Sequence, residues 1–134
     1  MPAYDYALLQ AVRVPTGDAV TLGVVLQCRQ LRFLDVRWVG ADPAWLGLDA
    51  DLVLRAQRAV AAVAAGHAEA GPIARLPPSE RFHFLTAVRS TSLRALPVQT
   101  GLTDTPAETL DRIARQCGPI LRIASGTTEP PAGV

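Results

Sequence analysis

The chain has 134 residues, a length that fits one folded domain with its own hydrophobic core. Thirteen Arg, no Lys and twelve acidic residues give a formal charge of +1, unlike proteins that bind nucleic acid mainly through phosphate contacts. Seven aromatic residues also provide little material for a base-stacking surface, so a nucleic-acid partner is not expected.

The first forty residues predict an antiparallel meander of three strands. Residues 4–14 alternate with period two, and the turn-forming residues 15–18 lead into a second strand over 19–28. Gly23 predicts a bulge or a close backbone approach in that strand, and a third strand covers 34–38. Strict alternation in the second strand places on one face Val20, Leu22, Val24, Leu26 and Cys28.

Two helices are predicted next. Asp42 followed by Pro43 is typical of a helix start, so a short helix is expected over 43–46. Asp49 or Asp51 caps a longer helix that runs to Ala65 and ends at Gly66. Its expected apolar stripe consists of Leu52, Ala56, Ala59, Val60 and Val63.

The second half of the chain predicts shorter elements. A short helix covers 78–85, and extended residues over 92–100 are interrupted by Pro97, which indicates an edge strand or a bulge. Thr105-Pro106-Ala107-Glu108 has the pattern of a capping box at the start of a helix that ends before Gly118. Residues 120–123 form a short strand or a coil, and the Gly-, Thr- and Pro-rich residues 125–134 predict a disordered tail.

Together these elements predict one α+β domain over residues 1–124. A mainly antiparallel sheet of three to four strands carries the two main helices, which begin near Asp51 and Pro106, on one face. Leu34 and Trp38 are expected in the core. If no helix covers the face that carries Tyr4 and Tyr6, this face is expected to form an interface.

The common catalytic and cofactor-binding signatures are absent from the sequence. There is no GxGxxG, GxxxxGK[ST], HExxH or GxSxG, and no cofactor is implied. Cys28 and Cys117 lie far apart without a CxxC or a nearby His, which predicts reduced core thiols and no metal site; a redox or nucleophilic role is the alternative. No secretory or membrane-spanning pattern is present, so the cytoplasm is the expected location.

Residues 81–92 form the one polar cluster that predicts a site. They include two guanidinium groups, one imidazole and four hydroxyls, a combination that suits an anion at a helix-to-strand passage. The alternative is an internal Arg-to-backbone network in which Arg89 pairs with Asp104 or Asp5. The candidate anion-binding residues are Arg81, His83, Arg89, Ser90, Thr91, Gln99 and Thr100.

Several short segments resemble, in order, the small bacterial domain-of-unknown-function family 3037. The resemblance covers about residues 4–116, and its pieces are Tyr4-Asp5-Tyr6, Gly23-Val24-Val25-Leu26, Pro77 to His83, Arg89-Ser90-Thr91 and Pro97 to Leu102. Leu22 and Gln99 stand where the family usually has Asn and His, which weakens a catalytic role. Some family members occur beside HipA-like kinases, so the resemblance implies a paired or regulatory role.

Two classes of function follow. The first is a binding or regulatory module that engages a protein partner, with a kinase-like protein as candidate, or a second copy of itself. The second is a small enzyme or sensor that acts on a phosphate-bearing ligand through Arg81, His83 and Arg89. The first is favoured because His83 is the sole imidazole near the cluster and no general-base constellation accompanies it.

Overall fold

A computed structural model describes residues 1–13, 16–40, 49–87 and 93–121. The predicted short helix over 43–46 and the predicted tail over 125–134 lie outside these residues. The described elements are β1 (Ala3–Val12), β2 (Ala19–Cys28), β3 (Phe33–Val39), α1 (Ala50–Ala65), two 3-10 turns (Ala68–Ala70 and Pro72–Arg75), α2 (Pro78–Ala87), β4 (Leu93–Ala95), β5 (Gln99–Leu102), α3 (Pro106–Cys117) and β6 (Ile120–Leu121).

The strands form one antiparallel sheet, which confirms the α+β class and the predicted meander. Strand order is β4-β1-β2-β3-β6, and β5 pairs with β1 beside β4. The sheet has more strands than the three to four predicted, because short pieces at both edges add to the meander.

The β4 and β5 strands are two pieces of one edge, broken at Pro97 as the sequence predicts. Ala95 pairs with Leu9, and Gln99 pairs with Tyr6. Residues 96–98 therefore face only positions 7 and 8 of β1, so the edge strand carries one extra residue, as in a β-bulge.

A second bulge in β2 corrects the predicted face assignment of that strand. Leu9 pairs with Gly23 but Gln10 pairs with Thr21, which leaves Leu22 as the extra residue. An added residue shifts the alternation by one position. Val20 and Leu22 therefore share one face of the sheet with Val25, while the opposite face carries Val24, Leu26 and Cys28.

Gly23 allows β3 to approach β2 closely at this bulge. A Cβ atom at this position would lie 2.6 Å from the backbone oxygen of Arg37 and 2.6 Å from Cε3 of Trp38. The indole of Trp38 consequently lies across Gly23, and Trp38 is buried in the core as predicted. Leu34 is only partly buried and packs against the same cluster.

The helices cover both faces of the sheet, which corrects the prediction of two main helices on one face. Side chains of α1 and α2, among them Val60 and Phe82, pack with Val25, Val36 and Trp38. On the opposite face Leu110, Ile113 and Ala114 of α3 pack with Tyr4, Val24, Leu26 and Val39. Because β1 and β2 carry apolar side chains on both faces, each face requires a covering helix. The face with Tyr4 is therefore covered, and the condition set for an aromatic interface there is not met.

The ends of α1 follow the sequence signals, but its buried stripe is rotated. The Asp49 carboxylate accepts from the N–H of Asp51 and of Leu52, and Gly66 ends the helix with a φ of 74°. Leu52, expected in the stripe, is exposed. The stripe is correct at Val60 and Val63 and also contains Val53 and Gln57.

The start of α3 is correctly predicted, although its capping box does not form. Thr105 precedes the helix but its side chain makes no capping hydrogen bond. Instead the Thr103 hydroxyl accepts from the Thr105 N–H at 3.0 Å and shares a hydrogen bond with the Thr109 hydroxyl at 2.7 Å. Thr103 thus takes the anchoring role that the pattern assigned to Thr105.

A salt bridge attaches α3 to β3. The Arg37 Nε donates to the Asp111 carboxylate at 2.8 Å, and its Nη1 donates to Asp35. Burial alone would lower the pKa of Arg37, but the hydrogen bonds and charges of Asp35 and Asp111 outweigh it and raise that pKa. Arg37 is therefore a permanently charged contact between sheet and helix.

Candidate functional site

A cleft of about 480 Å³ opens between α2 and the sheet. It lies on the face covered by α1 and α2, beside the edge formed by β5, and its size falls in the range of small-ligand sites. Its lining includes two carboxylates, one guanidinium, an imidazole and a buried amide. The residues are Asp5, Gln27, Arg29, Ser79, Glu80, Phe82, His83, Thr86 and Val98.

The floor of the cleft contains a buried amide joined to a carboxylate. Asp5 of β1 and Gln27 of β2 are direct cross-strand partners, so their side chains point to the same face. Gln27 Nε2 donates to Asp5 Oδ2 at 3.0 Å. Gln27 is 5% exposed, and its Oε1 is buried without a hydrogen-bond partner. A buried acceptor without a donor costs about 1–3 kcal/mol. Among the described residues, this is the one oxygen of four buried side-chain atoms without a partner; the others are nitrogens of Trp38, Arg58 and Arg81.

The wall of the cleft is the first two turns of α2. Pro77 and Pro78 cannot continue a preceding helix but can begin one, and the backbone oxygen of Pro77 accepts from the N–H groups of Glu80 and Arg81. Phe82 and Leu85 are buried against the sheet. This packing directs His83 toward the cleft.

The predicted site residues Arg81 and His83 lie on different sides of α2. Arg81 Nη1 donates to the backbone oxygen of Ala74 at 3.2 Å, and it packs so closely on Gly66 that a Cβ at that position would clash with it. Arg81 thereby ties α2 to the segment after α1, in the way expected of an internal Arg-to-backbone network. His83 is exposed and lines the cleft.

The sequence of this chain matches the model of one known protein family. A model described as "Protein of unknown function (DUF3037)" matches residues 6–117. The chain belongs to the DUF3037 family. No curated protein and no solved structure gives a match.

The family match spans β1 from Tyr6 through α3, so it includes α2 and Gln27 of the cleft. In this DUF3037 member, Gln99 lies on the face of Tyr6, whose hydroxyl donates to Gln99 Oε1 at 3.3 Å. Thr100 is paired with Asp5 and shares its face. Arg89, Ser90 and Thr91 lie outside the described residues, so the predicted anion site remains a prediction.

Sequence reasoning did not assign Gln27 and Arg29 to the site. The available signal was a polar residue in β2, a strand whose other residues from 22 to 28 are apolar or glycine. A strand buried on both faces leaves no solvated side for a Gln, so such a residue requires a partner.

Two further observations concern the described residues. They contain no group of three His, Cys, Asp or Glu side chains positioned to hold a metal ion. None of the helices in this part of the chain combines the length and hydropathy needed to cross a membrane.

Proposed function

We propose that this DUF3037 protein is a binding module that receives an extended segment of a partner protein along the outer edge of β5. The observation that carries the proposal is a strand edge, directly beside the cleft, that no described strand pairs with. Among the described strands, β1 alone pairs with β5. Unpaired strand edges accept extended peptides as an additional strand.

The register of β5 identifies which backbone groups are available. Thr103 N–H donates to the backbone oxygen of Pro2 at 2.9 Å, and hydrogen-bonded pairs alternate along an antiparallel ladder. Gln99 and Gly101 therefore direct their backbone groups to β1. Thr100 and Leu102 direct theirs outward, which offers two N–H and two C=O groups to an added strand.

The side chains beside these groups also favour a polypeptide partner. Val98 and Leu102 are 44% and 64% exposed, and they flank Thr100 at both alternate positions. Val98 also lines the cleft. A strand added to β5 would cover both apolar side chains and bring its own side chains to the mouth of the cleft.

The tight fit of Gly101 supports an ordered edge. A Cβ at Gly101 would lie 2.5 Å from Cζ and from the hydroxyl of Tyr4, so the Tyr4 ring packs directly on the β5 backbone. Tyr4 is buried and anchored in the α3 core cluster. The outward groups of β5 are consequently held in place before a partner arrives, which reduces the entropy lost on binding.

We further propose that the partner is kinase-like and that binding regulates it. The resemblance to a family with members beside HipA-like kinases supports this choice, and makes such a kinase from the same genome the first protein to test.

Amide hydrogen exchange of the full chain, with and without the purified kinase-like partner, tests the proposed function. We expect new protection at Thr100 and Leu102, while Gln99 and Gly101 change little because their N–H groups are already bonded to β1. Protection at all four amides or at none would contradict the proposal. Protection that appears with added copies of the protein alone would make β5 a dimer contact, and would also contradict it.

A further inference from the structure

The orientation of the Gln27 amide is fixed by its neighbour. An ionised carboxylate only accepts hydrogen bonds, so the group facing Asp5 Oδ2 at 3.0 Å must be Nε2. Oε1 is then the atom left buried and without a partner in a side chain that lines the cleft. A donor that enters the cleft and reaches this side chain would give the buried oxygen its missing partner.

The charges around this acceptor favour a cationic donor. Asp5 and Glu80 line the cleft with two carboxylates, against one guanidinium from Arg29. Asp5 is half-buried and lines the cleft, so its carboxylate is not fully occupied by the bond to Gln27. A ligand with several N–H groups and a positive charge would satisfy the Gln27 oxygen and pair with the Asp5 carboxylate together.

We infer that the cleft binds the guanidinium group of an arginine side chain, which the proposed partner segment would present. A guanidinium carries five N–H donors in a planar fork and no acceptor, so it can donate to a carboxylate and an amide oxygen at once. The volume of about 480 Å³ accommodates this side chain. The inference rests on the proposed function only for the source of the arginine.

The first test uses the full ¹⁵N-labelled chain and Nα-acetyl-arginine methylamide as the probe. We expect saturable NMR shifts at the Gln27 side-chain amide and at the backbone amides of Asp5 and His83. The neutral citrulline analogue keeps three of the five N–H donors, carries a carbonyl oxygen in place of one nitrogen and lacks the charge, so it should bind about tenfold more weakly or worse. Inorganic phosphate should leave the Gln27 amide unchanged.

Matched variants assign the contacts. Gln27→Met and Asp5→Asn should each weaken arginine binding by about tenfold or more. Gln57→Met makes the same change at another buried glutamine, on α1 outside the cleft lining, and should bind like the unmodified protein. Each variant is first shown to fold by its NMR spectrum, and Asp5→Asn alone suffices if Gln27→Met does not fold.

Three results would overturn the inference: no saturable shift with the arginine probe, equal binding by Asp5→Asn and the unmodified protein, or phosphate shifting the Gln27 amide in place of arginine. The proposed function is tested independently of the arginine site. An arginine probe that binds in the cleft, combined with no partner protection at Thr100 and Leu102, would keep the arginine site and reject the β5 docking edge.

Discussion

Replacing Gln27 with methionine is expected to leave the free energy of unfolding unchanged or to raise it by up to about 2 kcal/mol, while arginine binding in the cleft weakens by about tenfold or more. The substitution removes the buried Oε1, whose lack of a partner costs about 1–3 kcal/mol in the folded state. Methionine has a similar length and adapts to irregular space, so packing of β2 against α2 should change little.

The loss of the hydrogen bond to Asp5 lowers the free energy of unfolding. Bonds to charged groups contribute about 1.5–3 kcal/mol where water is excluded. Asp5 is half-buried, however, so water replaces much of the lost donor and reduces this contribution to about 1 kcal/mol. The net effect therefore favours the folded state or is close to zero.

Chemical denaturation followed by tryptophan fluorescence measures this change, with Gln57→Met as the control. Because each kcal/mol shifts the melting temperature of a domain this size by about 3–5 °C, thermal melting gives a second readout. If Gln27→Met lowers the free energy of unfolding by more than about 1.5 kcal/mol, the amide stabilises the fold. That result would refute the interpretation of its oxygen as an unsatisfied acceptor for a ligand.

Three further substitutions test the fold and its cores. Gly23→Ala should destabilise the protein by about 1–3 kcal/mol in denaturant titrations, since the new methyl group meets backbone at 2.6 Å, and a neutral result would contradict the bulge geometry. Trp38→Ala should cost about 3–5 kcal/mol and the partly buried Leu34→Ala less than about 2 kcal/mol; the reverse order would place Leu34 rather than Trp38 in the core. Burial raises the pKa of the Cys117 thiol, so the folded state holds this proton more tightly than the unfolded chain and stability should fall as pH rises above about 8.5. Cys117→Ala should weaken that pH dependence in denaturation at about pH 8 and about pH 10, and an identical pH dependence in both proteins would count against it.

Local sequence signals were sufficient for most elements. The alternation in β1 to β3, Asp49 and Gly66 at the ends of α1, and Pro106 at the start of α3 each act through neighbouring backbone, so their effects can be predicted without tertiary information. The interruption at Pro97 follows from its missing N–H in the same way.

The predictions that were wrong concern features that depend on tertiary contacts. The bulge at Leu22 moves half of β2 to the other face, and its position is set by the packing of Trp38 on Gly23. The prediction of a bulge or a close approach at Gly23 is confirmed, but the alternation on either side gives no indication that the faces shift there. The placement of α1 and α3 on opposite faces follows from the apolar side chains on both faces of β1 and β2.

The cleft could be predicted only in part. His83 belongs to a polar cluster visible in the sequence, but Asp5 and Gln27 meet across strands, 22 positions apart. Arg81 and His83 are two positions apart in a helix, a spacing that places them on different sides. A cluster that is compact in the sequence is therefore divided by the helix that carries it.

The affinity of two Thr100 variants for the kinase-like partner tests the proposed docking edge of β5 most directly. Thr100→Pro removes an outward N–H without touching a hydrogen bond to β1, and Thr100→Val keeps that N–H while losing the hydroxyl. With the purified kinase-like partner in calorimetry, Thr100→Pro should bind about tenfold more weakly or worse, and Thr100→Val should bind like the unmodified protein. Equal affinity of all three folded proteins would contradict the addition of a partner strand to β5.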